Sequence, residues 1–251
     1  MNTLSTRSLA SGDLVRAQAQ AELAIEYSPR FTEAWVNLGL VELERGNFRR
    51  ARRHLEHAQA LNEDLPAPHH GLGLVSEREH DFKDALSHYE DALKVDPGFA
   101  PARINAGRLH FRAGHYEGAK LHFHKLVEVA PNTLEGWLGL LECLFKLDRI
   151  DDVTGWLDLA ERQTGPRPEL LLYRARLLFS RGETLSARNL LLTLTIALER
   201  PYQSAAWAWL AAVELSLGNR YAAERAAISA RGIEPDEAIG TYVLRMLEKT
   251  R

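Results

Sequence analysis

The sequence has few cysteines, no excess of basic charge and no long apolar runs. Its one cysteine, Cys143, cannot form a disulfide within the chain, so a disulfide-stapled fold is excluded. The longest apolar stretch, residues 190–198, is interrupted by two threonines and falls far short of the ~20 residues needed to span a bilayer. Lysine and arginine total 31 against 34 acidic residues, a balance that disfavours a dedicated nucleic-acid-binding protein.

Residues 1–14 lack the apolar segment of a secretory signal peptide and hold no cysteine that could carry a lipid. The chain has 251 residues, of which 45% are hydrophobic and 26% charged, as is typical of a soluble protein with a sizeable core. We therefore expect a cytoplasmic protein, or a periplasmic one if the N-terminus has been trimmed.

What the sequence does contain is a repeat of 34 residues. Four glycines lie on one 34-residue lattice, namely Gly12, Gly46, Gly114 and Gly182. His80 and Asp148 occupy the two lattice points between them, and Pro29, Pro97 and Pro131 lie on a second lattice. Glycine, and less readily Asp or His, adopts the left-handed conformation that ends a helix, whereas proline stops one. The pattern predicts one pair of helices, joined by a tight turn, in every 34 residues.

With Thr32 taken as position 1 of a repeat, small and large side chains fall at fixed positions. Position 8 is glycine in Gly39, Gly73 and Gly107, and position 20 is alanine in Ala51, Ala85, Ala119 and Ala187. Position 24 is large in Leu55, Tyr89, Phe123, Leu157 and Leu191. Small residues let two helices approach closely and large ones fill the remaining space. One such unit cannot bury its apolar face alone, so the units should stack.

These positions resemble the tetratricopeptide repeat over about residues 32–235. The resemblance rests on the run Trp35, Leu38, Gly39 and on the alanines and prolines at fixed positions. It implies an all-α, right-handed superhelical solenoid of antiparallel helix pairs. Arg174 departs from the pattern, because it stands where leucine is expected and would fit a helix whose register is shifted by one residue.

We expect a single solenoid domain over residues 1–251. The predicted units are a partial repeat at 1–31, repeats at 32–65, 66–99, 100–133, 134–167, 168–203 and 204–235, and a capping helix at 236–251. The sixth repeat follows a two-residue insertion near Pro201 and is expected to start at Ser204.

No residue constellation indicates catalysis, a cofactor or a metal. His54, His88 and His122 share position 23 of successive repeats, and packed helices put such positions on the order of 10 Å apart, too far to share one ion. Cys143 falls at a position that is apolar in the other repeats, which favours a buried thiol over a nucleophile. We therefore expect a protein that is not an enzyme.

In tetratricopeptide arrays, positions 2, 5, 9, 12 and 13 of the first helices face an inner groove that commonly binds peptides or helices. The resemblance places thirteen residues there: His70, Arg78, Ile104, Arg108, Phe111, Arg112, Leu138, Glu142, Phe145, Lys146, Leu172, Arg176 and Phe179. Position 12 is phenylalanine in three consecutive repeats, which would give an aromatic ladder flanked by guanidinium groups. The alternative is that these phenylalanines pack between units as core.

A second candidate contact is a cluster of arginines in the first repeat. It comprises Arg45, Arg49, Arg50, Arg52 and Arg53. Such a cluster suits an acidic partner, although a solvated helix face would also explain it.

The sequence therefore predicts a scaffold or adaptor that binds a peptide or helix of another protein, partly acidic in character, with self-association also open. Two alternatives stay open: an assembly factor resembling the pilotins of type IV pilus secretins, and a regulatory subunit of an enzyme complex. The carboxylate clamp of chaperone-binding family members is not expected, because its cationic and asparagine positions fall on Val36, Leu40, Gly71, Pro101 and Asn105.

Overall fold

The computed structural model describes residues 7–200 and 202–249, and the regular elements within these ranges are α-helices. Residues 7–10 are helical and are followed by α1 (Leu14–Tyr27), α2 (Thr32–Glu44), α3 (Phe48–Leu61), α4 (Pro66–Arg78), α5 (Phe82–Val95), α6 (Ala100–Arg112), α7 (Tyr116–Val129), α8 (Leu134–Lys146), α9 (Ile150–Thr164), α10 (Pro168–Ser180), α11 (Thr184–Ala197), α12 (Tyr202–Ser216), α13 (Arg220–Ile233) and α14 (Ala238–Lys249). None of these helices is long and apolar enough to cross a membrane.

The helices follow the predicted 34-residue period. First helices begin at residues 32, 66, 100, 134 and 168, and second helices begin at 48, 82, 116, 150 and 184. Because α10 keeps this spacing, the register shift that Arg174 suggested does not occur. Its guanidinium instead reaches carboxylates of α9, at 2.8 Å from Asp158 and 2.7 Å from Glu161. The all-α helical-repeat architecture is thereby confirmed.

Helix α12 begins two residues before the predicted start of the sixth repeat at Ser204. Helix α12 begins at Tyr202 and has 15 residues, whereas the preceding first helices have 13. The two-residue insertion therefore extends this helix ahead of Ser204, and the repeat boundary at residue 204 stays a prediction. The predicted capping helix is α14, and the Glu237 carboxylate just before it accepts a hydrogen bond from the Ile239 N–H at 3.0 Å.

The turns have the backbone conformation that the glycine lattice predicted. Glycines at 12, 46, 114, 182 and 218 have φ between 76° and 80°, and His80 and Asp148 take the same role at 64° and 56°. Cys143 is fully buried, as predicted.

Close packing within a repeat depends on the small residues at position 8. A Cβ atom added at Gly73 would lie 2.5 Å from Cε1 of Tyr89, and one at Gly107 would lie 2.9 Å from Cζ of Phe123. Neither distance is a tolerable carbon–carbon contact, so the large residue at position 24 occupies the space that the glycine leaves. The four alanines at position 20 are fully buried on the same interface.

The chain divides into two compact units, Met1–Ala130 and Pro131–Arg251. In unit 1 the core includes Val36, Leu55 and Leu72 between α2, α3 and α4, and Tyr89 with Ala106 between α5 and α6. One core cluster of unit 2 runs from α10 to α14, and its buried members include Leu191, Leu210 and Val243. A single domain over 1–251 stays a prediction.

Two histidines stack between α6 and α7. The rings of His110 and His122 have centroids 5.3 Å apart at 24°, and His122 Nδ1 is buried with no hydrogen-bond partner. Burial, and then the charges of His110 and Arg103, lower the pKa of His122 to about 4. The folded protein therefore holds this imidazole neutral.

Gly73→Ala should lower the free energy of unfolding by about 1–3 kcal/mol, because the added methyl group overlaps the Tyr89 ring. Urea denaturation followed by circular dichroism measures the change. The matched control is Gly155→Ala in α9, where nothing lies within 4 Å of the added Cβ and the higher helix propensity of alanine should stabilise by up to about 1 kcal/mol. Equal effects at the two sites would contradict close packing at position 8.

Protonation of His122 should destabilise the fold in acid. Its pKa is about 4 in the folded chain and about 6.5 when unfolded, so the unfolded state binds more protons between these values. The stability that the neutral His122 allows is fully present above pH 6.5 and is lost as the pH falls towards 4. The free energy of unfolding should fall by at most about 1.4 kcal/mol per pH unit, and by less after solvent screening. His122→Phe should give a shallower decline than the wild type in denaturation series from pH 7 to 4; parallel curves would refute this role.

Candidate partner-binding site

An open groove in unit 1 contains three of the predicted partner-binding residues, Arg78, Arg108 and Arg112. It has a volume of about 540 Å³ and lies between α4, the start of α5 and α6. Its remaining lining residues are Leu74, Glu77, His80, Phe82 and Asn105. The 34-residue period aligns α4 with α6, so side chains near the C-terminal ends of both helices meet in the groove.

The three arginines of the groove differ in what already pairs with them. Arg112 lies 3.0 Å from Glu77 and its guanidinium carbon is 4.9 Å from the centre of the Phe82 ring. Arg78 lies 3.3 Å from Glu44, in a pair about half exposed on both sides. Arg108 is exposed and forms no ion pair or hydrogen bond with the described part of the chain. It is therefore the cation best placed to receive an added carboxylate.

Glu77 is the one acidic residue in the groove lining, and neighbours hold it from two sides. The buried Tyr89 hydroxyl donates a hydrogen bond to Glu77 Oε2 at 3.0 Å, while Oε1 faces Arg112. Burial, together with the charge of Glu77, raises the pKa of Tyr89, so the phenol stays protonated and keeps donating. With Glu77 engaged in this way, the groove keeps a net positive charge.

The other predicted residues of unit 1 are less accessible. Burial lowers the pKa of His70 to about 4, and its Nε2 accepts a hydrogen bond from the Asn105 amide at 2.9 Å. His70 is thus a neutral side chain that positions Asn105, not a cationic contact. Ile104 and Phe111 are half-buried, and the Phe111 ring packs on Tyr116 at 5.2 Å.

In unit 2 the predicted set contains both core and surface residues. Leu138 and Leu172 are 8% and 3% exposed, so they are corrected from groove residues to core. They face the apolar interior because neighbouring first helices pack there. Phe145 and Phe179 are half-buried, and the Phe179 ring contacts Trp209 at 6.3 Å. The aromatic ladder is therefore mainly a packing feature, with its edges exposed.

Arg176 is held inside unit 2. Its guanidinium pairs with Glu142 at 2.5 Å and lies 4.2 Å, 4.9 Å and 5.0 Å from the ring centres of Phe145, Tyr173 and Trp209. Its side chain is 11% exposed. Arg176 is thus engaged by Glu142, although its Nε is buried with no hydrogen-bond partner, and of the two only Glu142, at 27% exposure, keeps notable surface. Lys146 is exposed.

The arginine cluster of the first repeat divides into paired and unpaired members. Arg45 contacts Glu42 at 3.7 Å, and Arg52 pairs with Glu79 at 2.7 Å. Arg49, Arg50 and Arg53 are exposed, have no carboxylate partner among the described residues and line an open pocket of about 450 Å³ beside Phe48.

Sequence reasoning missed His80, Phe82, Leu74, Glu77 and Asn105 as groove residues. The position rule counts inward-facing residues of first helices, whereas His80 and Phe82 belong to the turn and to the second helix. The sequence signal that pointed to these two residues was His80, which stands on the lattice of turn glycines. At this turn position, with positive φ, its side chain lies beside Phe82, the first residue of α5.

Comparison with known proteins agrees with this architecture. Two tetratricopeptide repeat family models match the chain, one over residues 30–98 and one over 78–137. No curated protein matches it by sequence.

Solved structures share the fold at low identity. A tetratricopeptide repeat protein from Parabacteroides merdae has a TM-score of 0.65 at 17% identity, with 97% of this chain and 96% of that chain covered. Pseudomonas aeruginosa pilF has a TM-score of 0.66 at 19% identity, with 86% and 97% covered. YrrB, described as a repeat protein with an unusual peptide-binding site, has a TM-score of 0.55 at 20% identity, with 76% and 97% covered. The family models thus identify tetratricopeptide repeats at residues 30–137, and the period, the turns and these folds show that the chain is an all-α helical-repeat solenoid.

Proposed function

We propose that this protein is a non-enzymatic scaffold whose unit 1 groove binds an acidic peptide or helical segment of a partner protein. The observation that carries the proposal is the exposed, unpaired guanidinium of Arg108 in a groove that also holds Arg78 and Arg112. Three guanidinium groups face one carboxylate there, and that carboxylate is already held by Tyr89 and Arg112.

A partner carboxylate would improve the electrostatics of the groove. A guanidinium group offers parallel N–H donors that match both oxygens of a carboxylate, so Arg108 suits an Asp or Glu side chain. Arg78 could exchange or share its half-exposed contact with Glu44 at little cost, because exposed ion pairs contribute only about 0–1 kcal/mol.

The groove also offers an apolar contact. Phe82 is 40% exposed although it lies at the start of α5, and Leu74 is half-buried beside it. Arg112 covers one face of the Phe82 ring and the His80 ring packs on it at 6.0 Å, and the part that stays exposed is available to a partner side chain. An acidic segment with an apolar anchor therefore fits the groove better than a purely charged one.

Binding should be measured by fluorescence anisotropy with two labelled peptide pools of equal apolar content, one rich in Asp and Glu and one rich in Lys and Arg. We expect the acidic pool to bind and the basic pool not to bind. Arg108→Glu should weaken binding of the acidic pool about tenfold, which corresponds to about 1.4 kcal/mol. Raising NaCl from about 0.05 M to about 0.3 M should also weaken it, because salt screens exposed charges.

The matched control is Arg16→Glu, which makes the same charge change at an exposed arginine of α1. It should leave the affinity nearly unchanged. If Arg16→Glu and Arg108→Glu weaken binding equally, the peptide responds to net charge and the groove is not the site. If a triple change of Arg49, Arg50 and Arg53 to Glu abolishes binding while Arg108→Glu does not, the site is the first-repeat cluster instead.

A second candidate is an assembly factor for a type IV pilus secretin, which the resemblance of the sequence to pilotins suggested; Pseudomonas aeruginosa pilF shares the fold. The observation behind it is that the alignment covers 86% of this chain and 97% of that one. Deleting the gene should then reduce assembled secretin multimers while the amount of secretin monomer stays constant, as measured on immunoblots of heated and unheated membranes. Unchanged multimers would remove this candidate and leave the scaffold proposal untouched.

A further inference from the structure

Positions 4, 23 and 26 of a repeat come together between its two helices. In the first repeat these are Trp35, His54 and His57, and the indole ring lies 5.6 Å and 4.4 Å from the two imidazole rings. In the fourth repeat Trp137 and Trp156 take the first two positions, with centroids 6.3 Å apart. The helix pairing thus builds the same three-residue pocket in successive repeats, whatever side chains occupy it.

In the second repeat the pocket holds His69, His88 and Asp91. One ligand atom from each of these three half-buried residues lies within 4.8 Å of the other two. Two imidazole nitrogens and one carboxylate oxygen converge here on a point between α4 and α5. Sequence analysis compared position 23 between repeats, where the distances are too long, and so missed the convergence within one repeat.

His69 also lacks the bond that its counterparts make. The position 4 side chains Trp35 and Trp137 each donate to the carbonyl of a proline six residues earlier, at 2.8 Å and 2.7 Å. His69 makes no such bond, and its Nδ1 is buried with no hydrogen-bond partner. A buried polar atom without a partner is destabilising, and a metal ion would satisfy it.

The donor set suits zinc. Zn²⁺ binds imidazole nitrogen and carboxylate oxygen at about 2.0–2.2 Å, which requires neighbouring ligand atoms to lie about 3–3.5 Å apart in a tetrahedron. Distances of up to 4.8 Å between the three atoms must therefore shorten by up to about 1.5 Å, and rotation of two imidazole rings and one carboxylate can provide that movement. Lys94 now lies 2.7 Å from Asp91, but its side chain is 75% exposed and free to swing into solvent.

His88 is oriented by a further carboxylate. One of its ring nitrogens, Nε2, lies 3.5 Å from Asp84 Oδ2, and Asp84 in turn accepts a hydrogen bond from the Ser76 hydroxyl at 2.7 Å. Carboxylates beside ligating histidines fix the ring orientation and raise the basicity of the ligand. The surroundings of the pocket thus contain a feature common to histidine-based metal sites.

We propose that His69, His88 and Asp91 form a Zn²⁺ site that links α4 to α5 and stabilises the second repeat. Three protein ligands leave one coordination position of a tetrahedral ion for water. The proposal is independent of the groove, since its residues lie at positions 4, 23 and 26 and the groove uses others.

The test is isothermal titration of the tag-free, metal-stripped full chain with ZnCl₂, paired with thermal unfolding monitored by circular dichroism. We expect one Zn²⁺ per chain and a higher unfolding temperature with the metal, because an ion that binds only the folded state stabilises it. His69→Trp restores the side chain found in the first and fourth repeats, so it should keep the fold. It should weaken Zn²⁺ binding at least tenfold and remove the thermal shift.

Asp91→Asn should weaken binding while leaving the metal-free unfolding temperature close to that of the wild type. The matched control is His57→Ala, which removes the position 26 side chain of the first repeat and should leave Zn²⁺ binding intact. Absence of saturable binding, or binding that survives both His69→Trp and Asp91→Asn, would overturn the proposal. Loss of binding on His57→Ala alone would place the ion in the first repeat and overturn it equally.

Discussion

The close approach of the two helices within each repeat is the constraint on which the other features depend. At Gly73 there is no room for even one methyl group against Tyr89, so α4 and α5 lie closer together than a larger residue at this position would allow. Fixed spacing makes side chains at given positions meet in the same way from one repeat to the next. The Tyr89 hydroxyl then reaches Glu77, which holds Arg112 beside Phe82. Backbone packing deep in the repeat thereby sets the geometry of the groove at its surface.

The repeat architecture could be predicted in detail because its determinants are local. A left-handed turn residue restricts the choice to glycine and a few polar residues, so the lattice of Gly46, His80 and Asp148 is enough to locate the turns. Helix starts follow within a residue or two. The insertion before Ser204 shows the limit: two inserted residues can extend either a loop or a helix, and the sequence pattern does not predict that α12 begins at Tyr202.

The candidate site could be predicted only in part, because a position rule states which way a side chain points and not what it meets. Arg108 and Arg176 both occupy position 9, yet Arg108 is exposed and unpaired whereas Arg176 is enclosed by three aromatic rings and Glu142. The difference lies in partners from neighbouring helices, such as Trp209, whose contribution requires the three-dimensional arrangement. Leu138 and Leu172 were assigned to a groove for the same reason, and burial shows them to be core.

A repeat protein also contains its own comparisons, since one geometry is occupied by different chemistry along the chain. At position 4 the side chain is Trp35, then His69, then Arg103, and both Trp35 and Arg103 donate to the carbonyl of a preceding proline. His69 makes no such bond: its Nδ1 has no hydrogen-bond partner, and its ring lies beside an imidazole and a carboxylate. Exchange of the residue at position 4 of a repeat can therefore replace a packing contact with a set of metal ligands, while the two helices stay as they are. Chemistry specific to this protein is best sought where a single repeat departs from its neighbours, because what the repeats share is already explained by the fold.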